Sequence, residues 1–167
     1  MRKHYVGVLG GVCLLFVFAA AECFSAPIAV SRVQPQPGEV IVLDQIFILA
    51  DASGSLDAKK LFEEEKALVD AFVAAMPEGC YEAGLGSFAG VPHLRWVHHP
   101  LNPVDLAGLA QSASSLKLLG SLTPLARAVT SAGKEYNGKT GQAALLVFSD
   151  GKSCPKKGVL DACRELV

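Results

Sequence analysis

Apolar residues in this chain fall into short dense runs separated by longer stretches with helical spacing. Gln45 to Ala50 and Ala143 to Phe148 are nearly continuous in apolar side chains, the pattern of strands covered on both faces. Tyr81 to Phe88 predicts a further strand, with small residues at Gly84 and Gly86. Leu94 to His98 predicts a short one at the sheet edge, closed by Pro100. Leu56 to Met76 reads as a helix, with Leu61, Leu68, Phe72 and Val73 on one stripe beside Met76. Lys59, Lys60 and the Glu63-Glu64-Glu65-Lys66 run are expected to face water, and Pro77 and Gly79 to stop the helix. Asn102-Pro103 and Thr123-Pro124 share the grammar of a helix start, the second opening a helix to about Tyr136. A last helix is expected over roughly Lys156 to Leu166. Strands alternating with helices predict an α/β fold built on a parallel, helix-covered sheet.

The N-terminal region reads differently. Arg2 and Lys3 precede the apolar stretch Tyr5 to Phe18, and Ala19-Ala20-Ala21 offers the small residues a signal peptidase reads. Residues 1–21 are therefore expected to be an export signal cleaved after Ala21. The alternative is a membrane anchor through residues 5–21, a stretch at the short edge for spanning. Glu22 occupies the place before Cys23 where a lipoprotein signal wants a small residue. Residues 22–43, with Pro27, Pro35 and Pro37, read as an extended linker, and residues 44–167 as the folded domain. A formal net charge of −1 over 167 residues offers no basic patch for nucleic acid and no acidic tail. Cys23, Cys80, Cys154 and Cys163 fit an oxidising compartment. A local Cys154–Cys163 bridge is one reading and buried free thiols another, and the spacing does not resemble a zinc motif.

The candidate chemistry begins where the first apolar run ends, at Asp51-Ala52-Ser53-Gly54-Ser55. One carboxylate and two hydroxyls at two-residue spacing place oxygen ligands around one point, the donor set that hard divalent cations take. Thr123 stands before a Pro-containing helix start, and Asp150-Gly151 follows the run at 143–148. Together these segments resemble the von Willebrand factor type A domain and its metal-ion-dependent adhesion site, over roughly residues 44 to 167. The resemblance implies a doubly wound, mostly parallel sheet with helices on both faces and the first strand between the second and fourth. It also implies that the last strand–helix units are missing, leaving the far flank of the fourth strand unpaired. By resemblance, Ser53, Ser55 and Thr123 touch Mg²⁺ or Mn²⁺ directly, while Asp51 and Asp150 act through water or fix the hydroxyls. A coordination position stays open for a carboxylate from a protein partner. The expected function is an exported adhesion or assembly module of the cell envelope rather than an enzyme. A metal-independent interaction domain is the first alternative. The second is a hydrolase using Asp51 as nucleophile, but Ser53 stands where haloacid-dehalogenase-like phosphatases place a second aspartate.

Three further features carry weaker signals. Gly133 to Thr140 matches the nucleotide-binding pattern GxxxxGK[ST], but a helix precedes it and a strand follows, the reverse of what phosphate cradling needs. It reads as a helix end with Gly138 as left-handed cap. His93, His98 and His99 gather near Trp96 as an exposed edge cluster with no further ligand converging on it. Ser87 lacks the glycine that a nucleophile elbow requires and reads as a strand-end residue near the metal loops.

Overall fold

A computed structural model describes residues 6–9, 12–18, 43–58, 61–90, 96–151 and 158–164. Six strands, β1 (Val6–Leu9), β2 (Val12–Phe18), β3 (Gln45–Asp51), β4 (Glu82–Phe88), β5 (Trp96–Pro103) and β6 (Ala143–Ser149), form one sheet in the order β1-β2-β6-β3-β4-β5. Neighbours from β2 to β4 run parallel, and the two outer strands run antiparallel to theirs. β3 is therefore central, and every one of its residues is buried.

Strand alternation sorts the core into two layers. Ile46, Ile48, Ala83, Leu85, Leu146 and Phe148 face α2 (Phe62–Ala75) and α3 (Leu106–Ser114). Phe47, Leu49, Phe88, Leu145 and Val147 face α4 (Leu125–Gly133) and α5 (Val159–Arg164). The fold is an α/β doubly wound, mostly parallel sheet with helices on both faces, as expected from the chain.

Gly84 is where the sheet and Phe47 meet most closely. A Cβ there would lie 2.6 Å from Phe47 Cδ2 and 3.1 Å from the Leu101 nitrogen. Gly84→Ala is expected to lower stability by about 1–3 kcal/mol through overpacking, read as an earlier urea midpoint with an unchanged slope.

Several local expectations need correction. The helix over 56–76 is two: a short α1 (Gly54–Ala58) and then α2. Lys59 and Lys60 lie outside the described residues. The edge strand does not close at Pro100 but continues to Pro103, because an edge strand can leave proline nitrogens facing outward. Asn102-Pro103 accordingly belongs to the strand and starts no helix. The cap is Asp105, whose carboxylate accepts from the Gly108 N–H at 3.0 Å. The last helix is shorter than expected, at Val159–Arg164. Cys80 and Cys163 carry free thiols, while Cys23 and Cys154 lie outside the described residues.

The far flank of β6 is also not bare. β2, inside the stretch expected to be an export signal, pairs in parallel along the whole strand, from Val12 opposite Ala143 to Phe18 opposite Ser149. An apolar run rich in Val, Leu and Phe supplies the backbone partners that such an edge otherwise lacks. Among the described residues no helix is long and apolar enough to cross a membrane.

Candidate metal centre

The carboxyl end of a central strand in an open α/β sheet is where ligands gather, and here that end is Asp51. Its carboxylate is fully buried and committed on both sides. Oδ1 accepts from the Ser53 N–H at 2.8 Å, and Oδ2 accepts from the Ser149 hydroxyl at 2.8 Å. The first bond turns the chain sharply after the strand, so that Ser53 and Ser55 project to one side and α1 can begin.

Three hydroxyls then converge. Ser53 Oγ lies 2.7 Å from Thr123 Oγ1 and 3.1 Å from Ser55 Oγ, and the Ser55–Thr123 separation is 3.3 Å. Ser53 and Thr123 are buried, while Ser55 is half-buried, so the triangle opens towards solvent at one corner. Thr123 comes from a distant loop fixed to the first by backbone bonds. Leu119 and Gly120 donate to the Ala52 carbonyl at 2.9 and 3.1 Å, and Gly54 donates to the Ser121 carbonyl at 2.9 Å. A Cβ at Gly54 would approach the Ser121 backbone at 3.2 Å, tighter than an ordinary contact, so a side chain there would push the two loops slightly apart.

Asp150 follows β6 and adds its negative charge beside Asp51 and Glu65, raising the pKa of both. Burial is the largest influence on Asp51 and pushes its carboxyl upward, against the bonds from Ser53 and Ser149.

Glu65 is the residue that sequence reasoning misplaced. It does not face water: it is 2% exposed, and its Oε1 accepts from the Asp51 N–H at 2.8 Å. Its Oε2 is buried with no hydrogen-bond partner among the described residues. Burial, and next the charge of Asp51, push the carboxyl up to about 9, so it is neutral at pH 7. A signal for this was present. Leu61, Glu65, Val69 and Val73 repeat every four residues, and all four are buried. Ser149 was missed as well, its only mark being a hydroxyl at the end of an apolar strand.

The donor set suits a hard cation. An octahedral ion with oxygens at about 2.0–2.1 Å has neighbouring ligands about 2.9 Å apart. The hydroxyl triangle, with sides of 2.7, 3.1 and 3.3 Å, is close in size to one face of that octahedron. Behind it, the charge of Asp150 raises the pKa of Asp51, and the charges of Asp51 and Asp150 raise that of Glu65, a penalty that a bound cation offsets. Among the described residues no group of three His, Cys, Asp or Glu side chains is placed to hold a metal.

The fold can be placed among known structures. The chain resembles the crystal structure of proximal thread matrix protein 1 from the mussel byssus, with a TM-score of 0.59 at 15% identity. The match covers 82% of this chain and 35% of that one. The fold is von Willebrand factor type A-like. No family model matches the sequence, and no curated protein does. The loops that carry Asp51, Ser53 and Ser55 and that carry Asp150 hang from β3 and β6, which pair without a register shift from Gln45–Ala143 to Ala50–Phe148.

The weaker candidates resolve differently. Ser87 is 1% exposed and lies 2.7 Å from His98 Nε2, so the two form a cross-strand tie between β4 and β5. Burial lowers the His98 pKa, and the hydroxyl is closed to a substrate. His98 is thus half-buried and bonded, not an exposed edge histidine, and His93 lies outside the described residues. Lys139 of the GxxxxGK[ST] stretch reaches Glu82 at 2.7 Å and the Leu101 carbonyl at 3.3 Å, at the opposite end of the sheet. Gly138 has φ +76°, as a left-handed cap requires.

Proposed function

We propose that this chain is a von Willebrand factor type A module that binds Mg²⁺ or Mn²⁺ through Ser53, Ser55 and Thr123, with Asp51 and Asp150 behind them. Through the ion it recruits an acidic side chain of a protein partner. The hydroxyl triangle carries this reading, because three neutral ligands leave the ion's charge largely uncompensated and a coordination position free. Bound there, the cation supplies Lewis acidity towards an anionic oxygen. The protein's part is to hold the hydroxyls in place. Asp51 fixes the Ser53 backbone, Ser149 fixes Asp51, and Glu65 anchors the Asp51 N–H.

Binding rather than catalysis is favoured by how these groups are occupied. Both Asp51 oxygens accept hydrogen bonds from the protein, which leaves the carboxylate poorly placed to attack a substrate. The apolar run behind Arg2 and Lys3 supports an exported setting at the cell envelope, where such a module would serve adhesion or assembly.

Calorimetric and thermal titration of the full chain with Mg²⁺ tests the reading. At a hundredfold excess over Kd the wild type should gain about 2.7 kcal/mol of stability. Ser53→Ala/Ser55→Ala should fold and lose that gain. A well-folded wild type with no response to Mg²⁺ or Mn²⁺ would sink the metal mechanism and leave a metal-independent interaction domain.

A further inference from the structure

We infer that the loop from Leu116 to Leu122 is an apolar rim that selects partner segments carrying a bulky hydrophobic side chain next to the metal-bound acid. The inference rests on the metal reading above and names the partner chemistry beyond the carboxylate.

Among the described residues three large hydrophobic side chains are exposed, and two of them, Leu119 at 42% and Leu122 at 56%, lie on this loop. Both are joined to the candidate site through the backbone. Leu122 immediately precedes Thr123, and the Leu119 N–H is bonded to the Ala52 carbonyl, between Asp51 and Ser53. Thr123 is buried and its neighbour Leu122 exposed, so the leucine stands one residue along the chain from the triangle.

The loop is braced rather than slack. Gly120 and Ser121 both have φ +73°, and Ser121 is the one non-glycine residue in that region among the described residues. A serine held there is strained, and such strain persists where surrounding structure fixes it. Here the surroundings are Gly54 and Gly90. A Cβ on Gly90 would come within 2.6 Å of Ser121 Oγ and 2.8 Å of the Leu122 nitrogen. Two leucines displayed on a fixed loop keep apolar surface in water that burial against a partner would recover.

The same loop also lines a receptacle. Leu116, Lys117 and Leu118 face Asp57, Phe62 and Glu63 across a cleft of about 420 Å³, large enough for one hydrophobic side chain. The two exposed leucines and the candidate metal together fit a protein segment with Asp or Glu on the ion and Leu, Ile or Phe beside it, packed against Leu119 and Leu122.

A phage-displayed random peptide library, selected on the full chain in Mg²⁺ and in EDTA, tests this. The Mg²⁺-dependent pool should be enriched in an acid flanked by a bulky apolar residue. A resynthesised peptide should bind Leu119→Ser/Leu122→Ser about tenfold more weakly or worse, a difference of about 1.4 kcal/mol. The variant's melting shift with Mg²⁺ should equal that of the wild type. A pool that keeps the acid but shows no apolar neighbour, or equal affinity for the variant, overturns the rim. So does sedimentation showing a dimer of the free protein that the double variant loses, since that assigns the leucines to a second copy. An EDTA-insensitive pool without acids overturns it through the metal reading, whose failure shows separately as an absent Mg²⁺ shift in the wild type.

Discussion

Phe47→Ala is expected to lower unfolding stability by about 3–5 kcal/mol, the range for emptying a buried aromatic site. Phe47 is fully buried on β3, and its ring fills the space that Gly84 leaves open. It belongs to the core layer beneath α4 that also holds Leu49, Leu145 and Val147. Collapse around the cavity is hindered, because the glycine opposite offers no side chain to move inward. A loss of this size is comparable to the whole stability of a marginal domain, about 5 kcal/mol at the low end. The measurement is urea denaturation followed by circular dichroism. A midpoint within error of the wild type would show that β3 does not pack as described.

Glu65 gives the second large effect, and its substitutions should divide sharply. Glu65→Ala removes the acceptor for the buried Asp51 N–H, which costs about 1–3 kcal/mol for the unmet donor alone. Glu65→Gln keeps the acceptor and mimics the neutral form, so it should match the wild type below pH 4.5 and be the more stable of the two at pH 7, where the wild type must take up a proton to fold. The pH dependence follows with a definite sign. The folded carboxyl is raised from 4.5 to about 9, so between those values the folded state holds a proton that the unfolded state has released. The associated stability is complete below pH 4.5 and is lost as pH rises towards 9. Melting temperature should therefore fall over that window in the wild type and fall less in Glu65→Gln. Parallel profiles for the two proteins would place the carboxyl in water after all.

These two residues also show what the sequence could and could not say. Phe47 was legible because a run of apolar residues too short for a helix has one way to bury both faces, as an inner strand. The hydroxyl set was legible because Asp51, Ser53 and Ser55 share a short loop, and because Thr123 and the end of β6 follow in order. Glu65 was not, because its charge masked its position on the buried stripe, and a carboxylate is read as solvent-facing unless its environment is known. The break between α1 and α2 hides in a stretch that has helical spacing throughout. Asn102-Pro103 misled for a related reason: cap chemistry is local, but whether the chain is still paired there depends on β4 alongside.

The strand Val12–Phe18 bears on the expectation that residues 1–21 are a cleaved export signal. Those residues cannot occupy the outer edge of β6 and also be surrendered to a peptidase. A chain that retains them carries its own intramolecular edge guard. A processed chain would present the backbone of Ala143–Ser149, directly beside the β3 strand that ends in Asp51, to any extended segment nearby. Without residues 12–18 that edge would be open to pairing with another chain, as exposed strand edges are.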